Sequence, residues 1–294
     1  MKVILLLTFI IASKVFAFDC APVATPEWKE LAPGVSWAKF DARFKPYLKE
    51  EARWSDVLSR SITVRAFKVD LKRNKLLLHS AEKDLSCSPE KERYIQRLID
   101  DQSKAAIGAI NASFFIMPSG GILGLALDQQ RVWSSDLTNL KKQSAGIFVL
   151  RSESAELIAK KDFVERFGDV LKPEDRQGME FAIEAYPQLL RDGRLLVDDS
   201  VLNSRRSRTS IGVAAESDEI LLVTIDARAE TSKTGMTLFE YAHFLKESKC
   251  GVSQKIALNL DGGGSSAFAI PATDLYEQAD RCRHLGNILT IHSR

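Results

Sequence analysis

The run Asp261-Gly262-Gly263-Gly264-Ser265-Ser266 constrains this chain more than any other stretch. Consecutive glycines give up side-chain packing and lose the most backbone entropy on folding. A folded chain keeps them where the backbone must turn through positive φ or approach another group closely. The flanking sequence says which elements meet there. Upstream, Thr237-x-x-Glu240 is a capping box that opens a helix over Thr237–Cys250, with Leu238, Tyr241, Ala242 and Leu245 as its apolar face and Gly251 as its closing residue. Lys255–Leu260 then reads as a short buried strand, and Ala267–Ile270 as the next one. Helix, strand, glycine turn and strand in that order put Asp261 at the C-terminal end of a strand.

Three readings of the turn stay open. It is a tight connection between two strands, or a nest of unobstructed N–H groups that receives an anion, with Asp261 as a titratable group beside it and Ser265 and Ser266 as donors. A nucleophilic serine is the third, although neither serine sits in G-x-S-x-G and no histidine is near in sequence.

The rest of the chain is punctuated as short strands. Ser61–Val69 and Lys75–Ala81 read as a hairpin about Arg73-Asn74, Ala105–Phe115 as a central strand buried on both faces, and Ser210–Ala215 with Ile220–Ala227 as a second hairpin. Leu123–Trp133, Gly146–Leu150 and Glu156–Ile158 add further strands, and Pro89–Gln102 a helix with Ser88 as its N-cap. The expected class is α+β, a single β-rich catalytic domain over residues 61–294, with a mixed sheet and a few packed helices. Residues 18–60 hold Trp28, Trp37 and Trp54 without a long periodic stretch, and read as an N-terminal arm too short to bury a core alone.

Residues 1–17 carry the marks of a secretory signal peptide: Lys2, the apolar run Val3–Ala12, and small residues in Val15-Phe16-Ala17. The run is too short to cross a bilayer. A secreted or periplasmic protein follows, with no stable membrane insertion after cleavage. Removing the segment takes Lys2 and Lys14 from the 41 basic residues and nothing from the 39 acidic ones, so the mature chain has no net charge. Such a balance excludes a nucleic-acid partner. Outside the cytosol Cys20, Cys87, Cys250 and Cys282 can oxidise, and proximity in sequence pairs Cys250 with Cys282 and Cys20 with Cys87. No Cys/His spacing suits zinc, and HExxH, Walker A, GxGxxG and EF-hand patterns are absent, so neither metal nor cofactor is expected.

Three other positions carry chemistry. Ser204-Arg205-Arg206-Ser207-Arg208-Thr209 is a solvated basic loop or a phosphate grip, and Arg208, abutting a strand, is the arginine best placed to be fixed. Asp226 ends an apolar strand as a cap, a turn former or an active-site acid. Asn111 falls inside a buried strand and needs partners for its amide, and its match to the glycosylation sequon is therefore discounted.

Taken in order, Ala109-Ile110-Asn111-Ala112-Ser113-Phe114-Phe115, Pro187-Gln188-Leu189-Leu190 with Asp192-Gly193, Arg208-Thr209-Ser210-Ile211-Gly212, Val223 to Asp226, Gly235-Met236-Thr237-Leu238 and Leu258-Asn259-Leu260-Asp261-Gly262-Gly263-Gly264-Ser265-Ser266 resemble the phosphodiester glycosidase family from about residue 61 to the C-terminus. The resemblance implies hydrolysis of the glycosidic bond of a sugar-1-phosphodiester, of the N-acetylglucosamine-phosphate or envelope polysaccharide type, releasing sugar and leaving a phosphomonoester. It implies Asp261 and Asp226 as catalytic carboxylates, Arg208 on phosphate, and Asn111 and Thr237 orienting sugar or water. Asn259, Gly262, Gly263, Gly264 and Ser265 complete the implied substrate-binding set. Ala112 and Tyr186 stand where the family commonly has glycine, which implies a narrower pocket. The alternative is a non-catalytic secreted carbohydrate-binding module of the same fold.

Overall fold

The computed structural model describes residues 20–80, 94–226 and 235–294, apart from 104, 118, 141, 153, 201–203 and 281–282. The expected signal peptide and the Ser88 cap lie outside the described residues. In chain order the strands that build the site are β1 (Cys20–Pro22), β2 (Val35–Phe44), β3 (Arg60–Val69), β4 (Asn74–Ser80), β5 (Gly108–Asn111), β6 (Arg208–Ala214), β7 (Ile220–Asp226), β8 (Gln254–Asn259), β9 (Ala267–Ile270), β10 (Leu275–Gln278) and β11 (Asn287–Ser293). The helices are α1 (Tyr94–Gln102), α2 (Lys160–Phe167) and α3 (Leu238–Glu247).

A nine-stranded sheet runs β1-β2-β3-β7-β6-β8 and on into Gln188–Arg191 and Arg194–Leu195. Its central strands are buried on both faces, and side-chain alternation separates two cores. Leu221, Val223 and Ile225 of β7 join Tyr241, Phe244 and Leu245 of α3 on one face. Ile220 and Leu222 face the other way, onto Ile110, Phe268 and Leu289 of a five-stranded sheet ordered β10-β9-β5-β11-β4. A second five-stranded sheet, with Phe181–Ala185 as its central strand beside Gly146–Arg151, completes that layer. Helix α1 covers the outer face of the first small sheet through Tyr94, Ile95, Leu98 and Ile99, and Phe163 of α2 covers the second. The class is α+β and β-rich, on a single domain. The paired strands run antiparallel in every described ladder where mixed directions were expected, in keeping with short connections and hairpins.

Three local expectations change. Residues 61–69 and 75–80 are joined by the foreseen turn but do not form a hairpin. Both edges of β3 are already taken by β2 and β7, so β4 pairs with β11 instead. Residues 18–60 contain the ten-residue β2, paired with β3 from Val35↔Val69 to Phe44↔Arg60, which makes the segment part of the large sheet. Helix α3 has both bonds of its capping box, but it stops at Glu247 with Ser248 as C-cap. Gly251 turns the following loop at φ +71°. No disulfide is present among the described residues, where Cys20 and Cys250 are both thiols. Cys20, held at the sheet edge opposite Phe44, reaches the Cys250 thiol in the loop after α3, while Cys87 and Cys282 lie outside the described residues.

Candidate active site

Register brings the two predicted carboxylates to one end of the large sheet. Ile225 stands opposite Arg208, and Ser210 stands opposite Asn259. Asp226 therefore leaves β7, and Asp261 follows β8, on the same side of the first turn of β6. One strand separates them, a backbone spacing of about 10 Å.

Asn111 ties this end together. Its Nδ2 donates to the Asp261 carbonyl at 2.7 Å, and its Oδ1 accepts from Thr209 Oγ1 at 2.8 Å and from the Ala267 N–H at 3.0 Å. The Asp261 N–H in turn donates to the Ala112 carbonyl at 3.1 Å. A buried amide with these bonds fixes the two ends of the glycine turn against both sheets, which answers the demand that a polar side chain in a buried strand makes. Its 1% exposure leaves no room for a glycan.

Asp261 itself is half-buried. Burial raises its pKa above the ordinary carboxylate range, opposed by hydrogen bonds from Ser265 and the Gly262 N–H and by the charge of Arg283. The Gly262 N–H lies 2.9 Å from Oδ1. The tyrosine at 186 stacks on Phe114 with ring centroids 4.4 Å apart, and burial and the nearby Asp261 push its hydroxyl pKa up. Asn259 donates to the Tyr186 carbonyl at 2.8 Å, while its Oδ1 is buried without a partner.

The glycine turn is a short 3-10 helix, Gly263–Ser265, with Gly263 at φ +64°. Its N–H groups are largely engaged: Gly262 on Asp261, Gly263 on the Ser207 carbonyl, Ser265 on Gly262 and Ser266 on Gly263. A side chain at 262 would come within 3.0 Å of the Ser207 carbonyl, and one at 264 within 3.1 Å of Asp280. Gly262 thus serves close approach to the Ser207 backbone, and Gly264 close approach to the Asp280 side chain.

Asp226 opens instead onto a cleft of about 420 Å³ between β7 and the β9–β10 hairpin. Arg65, Thr224, Ser266 and Glu277 share its walls, and Asp261 is not among the lining residues. Arg65 Nη2 is 3.5 Å from Asp226 Oδ2 and its Nε bonds Glu277, whose other oxygen takes Lys39 Nζ at 2.7 Å. Thr224 Oγ1 and Ser266 Oγ are buried in this wall with no hydrogen-bond partner. Sequence reasoning missed Arg65, Thr224, Ser266 and Glu277. The alternation Ile62-Thr63-Val64-Arg65-Ala66 puts Arg65 on its polar phase, so nothing local signals that the residue is buried.

Two predicted residues point elsewhere. Arg208 donates from Nε to the Met236 carbonyl at 2.9 Å and from Nη2 to the Ser204 carbonyl at 2.7 Å. Burial is the main reason that its pKa falls to about 10, and it stays charged at neutral pH. Thr237 uses its hydroxyl to cap α3, accepting the Glu240 N–H at 3.1 Å. It lies on the α3 face of the sheet, beside a second cleft of about 650 Å³ with Tyr47, Arg60, Arg205 and Phe239. Among the described residues no group of three or more His, Cys, Asp or Glu side chains gathers as a metal site.

The sequence profile of the phosphodiester glycosidase family matches residues 104–292, and the chain belongs to that family. The human and mouse N-acetylglucosamine-1-phosphodiester alpha-N-acetylglucosaminidases are 27% and 25% identical to it over 216 and 214 residues. Each alignment covers 63% of this chain and only 37% of the relative. The catalytic domain of the zebrafish N-acetylglucosamine-1-phosphodiester alpha-N-acetylglucosaminidase, solved auto-inhibited by its pro-peptide, superposes with a TM-score of 0.63 at 18% identity. That match covers 95% of this chain and 89% of the other and speaks for the fold. No described helix is long and apolar enough to cross a membrane.

Proposed function

We propose that this protein hydrolyses the glycosidic bond of a sugar-1-phosphodiester of the N-acetylglucosamine-phosphate type, giving free sugar and a phosphomonoester, outside the cytosol. The observation that carries this reading is the Asp261 environment: a half-buried carboxyl at a strand end, its pKa raised by burial, with Ser265 and the Gly262 N–H on its side chain. A carboxyl kept protonated above the usual range can protonate a leaving oxygen, and a second carboxylate can stabilise the oxocarbenium-like transition state or activate water. Asp226, with the Arg65 guanidinium 3.5 Å from its Oδ2, is suited to the second task. A phosphate leaving group needs less protonation than an alkoxide, so charge stabilisation by a nearby guanidinium contributes as well.

The deciding experiment incubates the purified protein with a phosphodiester of N-acetylglucosamine and follows free sugar. Asp261→Asn and Asp226→Asn are each expected to reduce turnover by about 10²–10⁴-fold, the usual contribution of a positioned acid or base. Both should keep a native circular-dichroism spectrum. Turnover by the wild type should fall as pH rises through the elevated Asp261 pKa, because the acid form is lost. Saturable sugar binding without release would mean a carbohydrate-binding module of the same fold. Near-normal turnover in Asp261→Asn would remove that residue from the chemistry.

A further inference from the structure

We propose that Cys20 and Cys250 close a disulfide that ties the first described strand to the loop leading from α3 into β8. The two thiols are remote in sequence and meet in space. Both are buried, at 6% and 1% exposure, in the core cluster between α3 and the large sheet. Cys20 hydrogen-bonds the Cys250 thiol, and the Cys250 N–H is held by Ser248 Oγ at 3.1 Å.

Position gives the bond a purpose. Strand β1 has three residues and pairs only with Phe44, Arg43 and Ala42 at the edge of the sheet. A short terminal strand frays unless something ties it down. The loop at its other end runs through Val252 and Ser253 into β8, the strand that ends at Asn259 and is followed by Asp261. A covalent link there fixes the terminal strand and the base of the active-site strand to each other. The secretory signal expected over residues 1–17 would put the protein outside the cytosol, where buried thiols in contact persist as disulfides.

The chemistry balances with a disulfide-bearing oxidant, small molecule or protein. The attacking species is the thiolate, so Cys250 first gives up its proton to solvent. That thiolate attacks one sulfur of the oxidant, whose S–S bond breaks and releases one thiolate. Cys20 then loses its proton to solvent and attacks the Cys250 sulfur, and the second half of the oxidant leaves as a thiolate. Two cysteine thiols are oxidised, and one oxidant disulfide is reduced to two thiols. Burial of both sulfurs in the folded core places the exchange before β1 docks.

The test uses the full chain, folded in the presence of oxidised and reduced glutathione. It is alkylated, digested without reduction and mapped by mass spectrometry. The expected product is a Cys20 peptide joined to a Cys250 peptide, lighter than the separate thiol peptides by two hydrogens. Cys250 joined to Cys282, Cys20 joined to Cys87, or alkylated Cys20 and Cys250 would each overturn the assignment. A second measurement compares thermal unfolding with and without reductant in the wild type and in the variant carrying Cys20→Ser and Cys250→Ser. Reductant should lower the wild-type Tm further than the variant's, with a difference on the order of 10 °C. Equal shifts in the two proteins would argue against the link, and the peptide map decides alone if the variant does not fold.

Discussion

Arg65 Nη2 stands 3.5 Å from Asp226 Oδ2, and through Nε the same guanidinium holds Glu277. One cation therefore joins a carboxylate from the large sheet to one from the small sheet across the mouth of the cleft. Burial pushes the Glu277 pKa up, but Lys39 and Arg65 outweigh it and the net shift is downward. Arg65→Gln leaves both carboxylates without their shared partner, and a stability loss of about 2 kcal/mol is expected, the scale of hydrogen bonds to charged groups. A depressed acid pKa contributes stability above its unfolded value, 4.5 for Glu277, that is lost as pH falls through the folded value. The gap in urea midpoint between Arg65→Gln and wild type should thus be full at pH 7 and shrink below about pH 4. A gap that does not depend on pH would mean that packing of the arginine stem, not its charge, sets the effect.

Arg208 is expected to behave as a structural arginine as much as a ligand. Its Nε and Nη2 serve the carbonyls of Met236 and Ser204, just ahead of α3 and of β6. Lysine keeps the charge but cannot reproduce two bonds in fixed fork geometry. Arg208→Lys should therefore lower stability by roughly 2 kcal/mol, seen as a fall in urea midpoint. A variant of unchanged stability whose KM for the phosphodiester alone rises would assign the guanidinium to phosphate instead.

Local signals made part of this site legible. The capping box of α3, the apolar run of β7 ending in Asp226 and the strand before Asp261 are short-range patterns, and each lies where the residue order puts it. The partners of those residues are set by pairing between strands far apart in sequence. Arg65 meets Asp226 because β3 lies beside β7, and it meets Glu277 because β10 comes over from another sheet. Register of that kind has no local sequence signature. The same limit explains β4: the Arg73-Asn74 turn was readable, but that both edges of β3 are occupied was not. The glycine run was legible as a site of close approach, although what approaches is the Ser207 carbonyl and the Asp280 side chain.

The hydroxyls of Thr224 and Ser266 offer a sharper probe of the cleft. Each lacks a hydrogen-bond partner although the residues are only 3% and 6% exposed. A stripped, unpaired hydroxyl costs about 1–3 kcal/mol, so removing it should stabilise the fold unless the group is needed for something else. Thr224→Val preserves shape, and its thermal midpoint should rise by a few degrees or stay level. Under the proposed activity the same change should raise KM with little effect on kcat. A gain in stability with unchanged KM would remove Thr224 from the substrate contacts.

Acid should loosen the β4–β11 edge through a pair of half-buried histidines. His79 Nε2 and His292 Nε2 each lie 2.9 Å from Thr290 Oγ1, and Ser103 Oγ is 3.0 Å from His292 Nε2. Burial is the largest cause that lowers the His292 pKa, to about 4, followed by His79 and Lys75, with Asp128 opposing. Burial lowers His79 as well, against the pull of Asp128. Both rings are therefore neutral in the folded protein at pH 7, whereas the unfolded chain takes up protons near the ordinary value of 6.5. For a base with a depressed folded pKa, stability is complete above the unfolded value and declines as pH falls from there toward the folded one. The urea midpoint of the wild type should drop between pH 7 and about pH 4.5, and His292→Gln, which has nothing to protonate, should drop less over the same interval. If both proteins lose the same amount, carboxylates such as Glu277 govern the acid limb and the histidine pair is only packing. If the variant loses less, two imidazoles facing one threonine are what makes this sheet edge sensitive to acid.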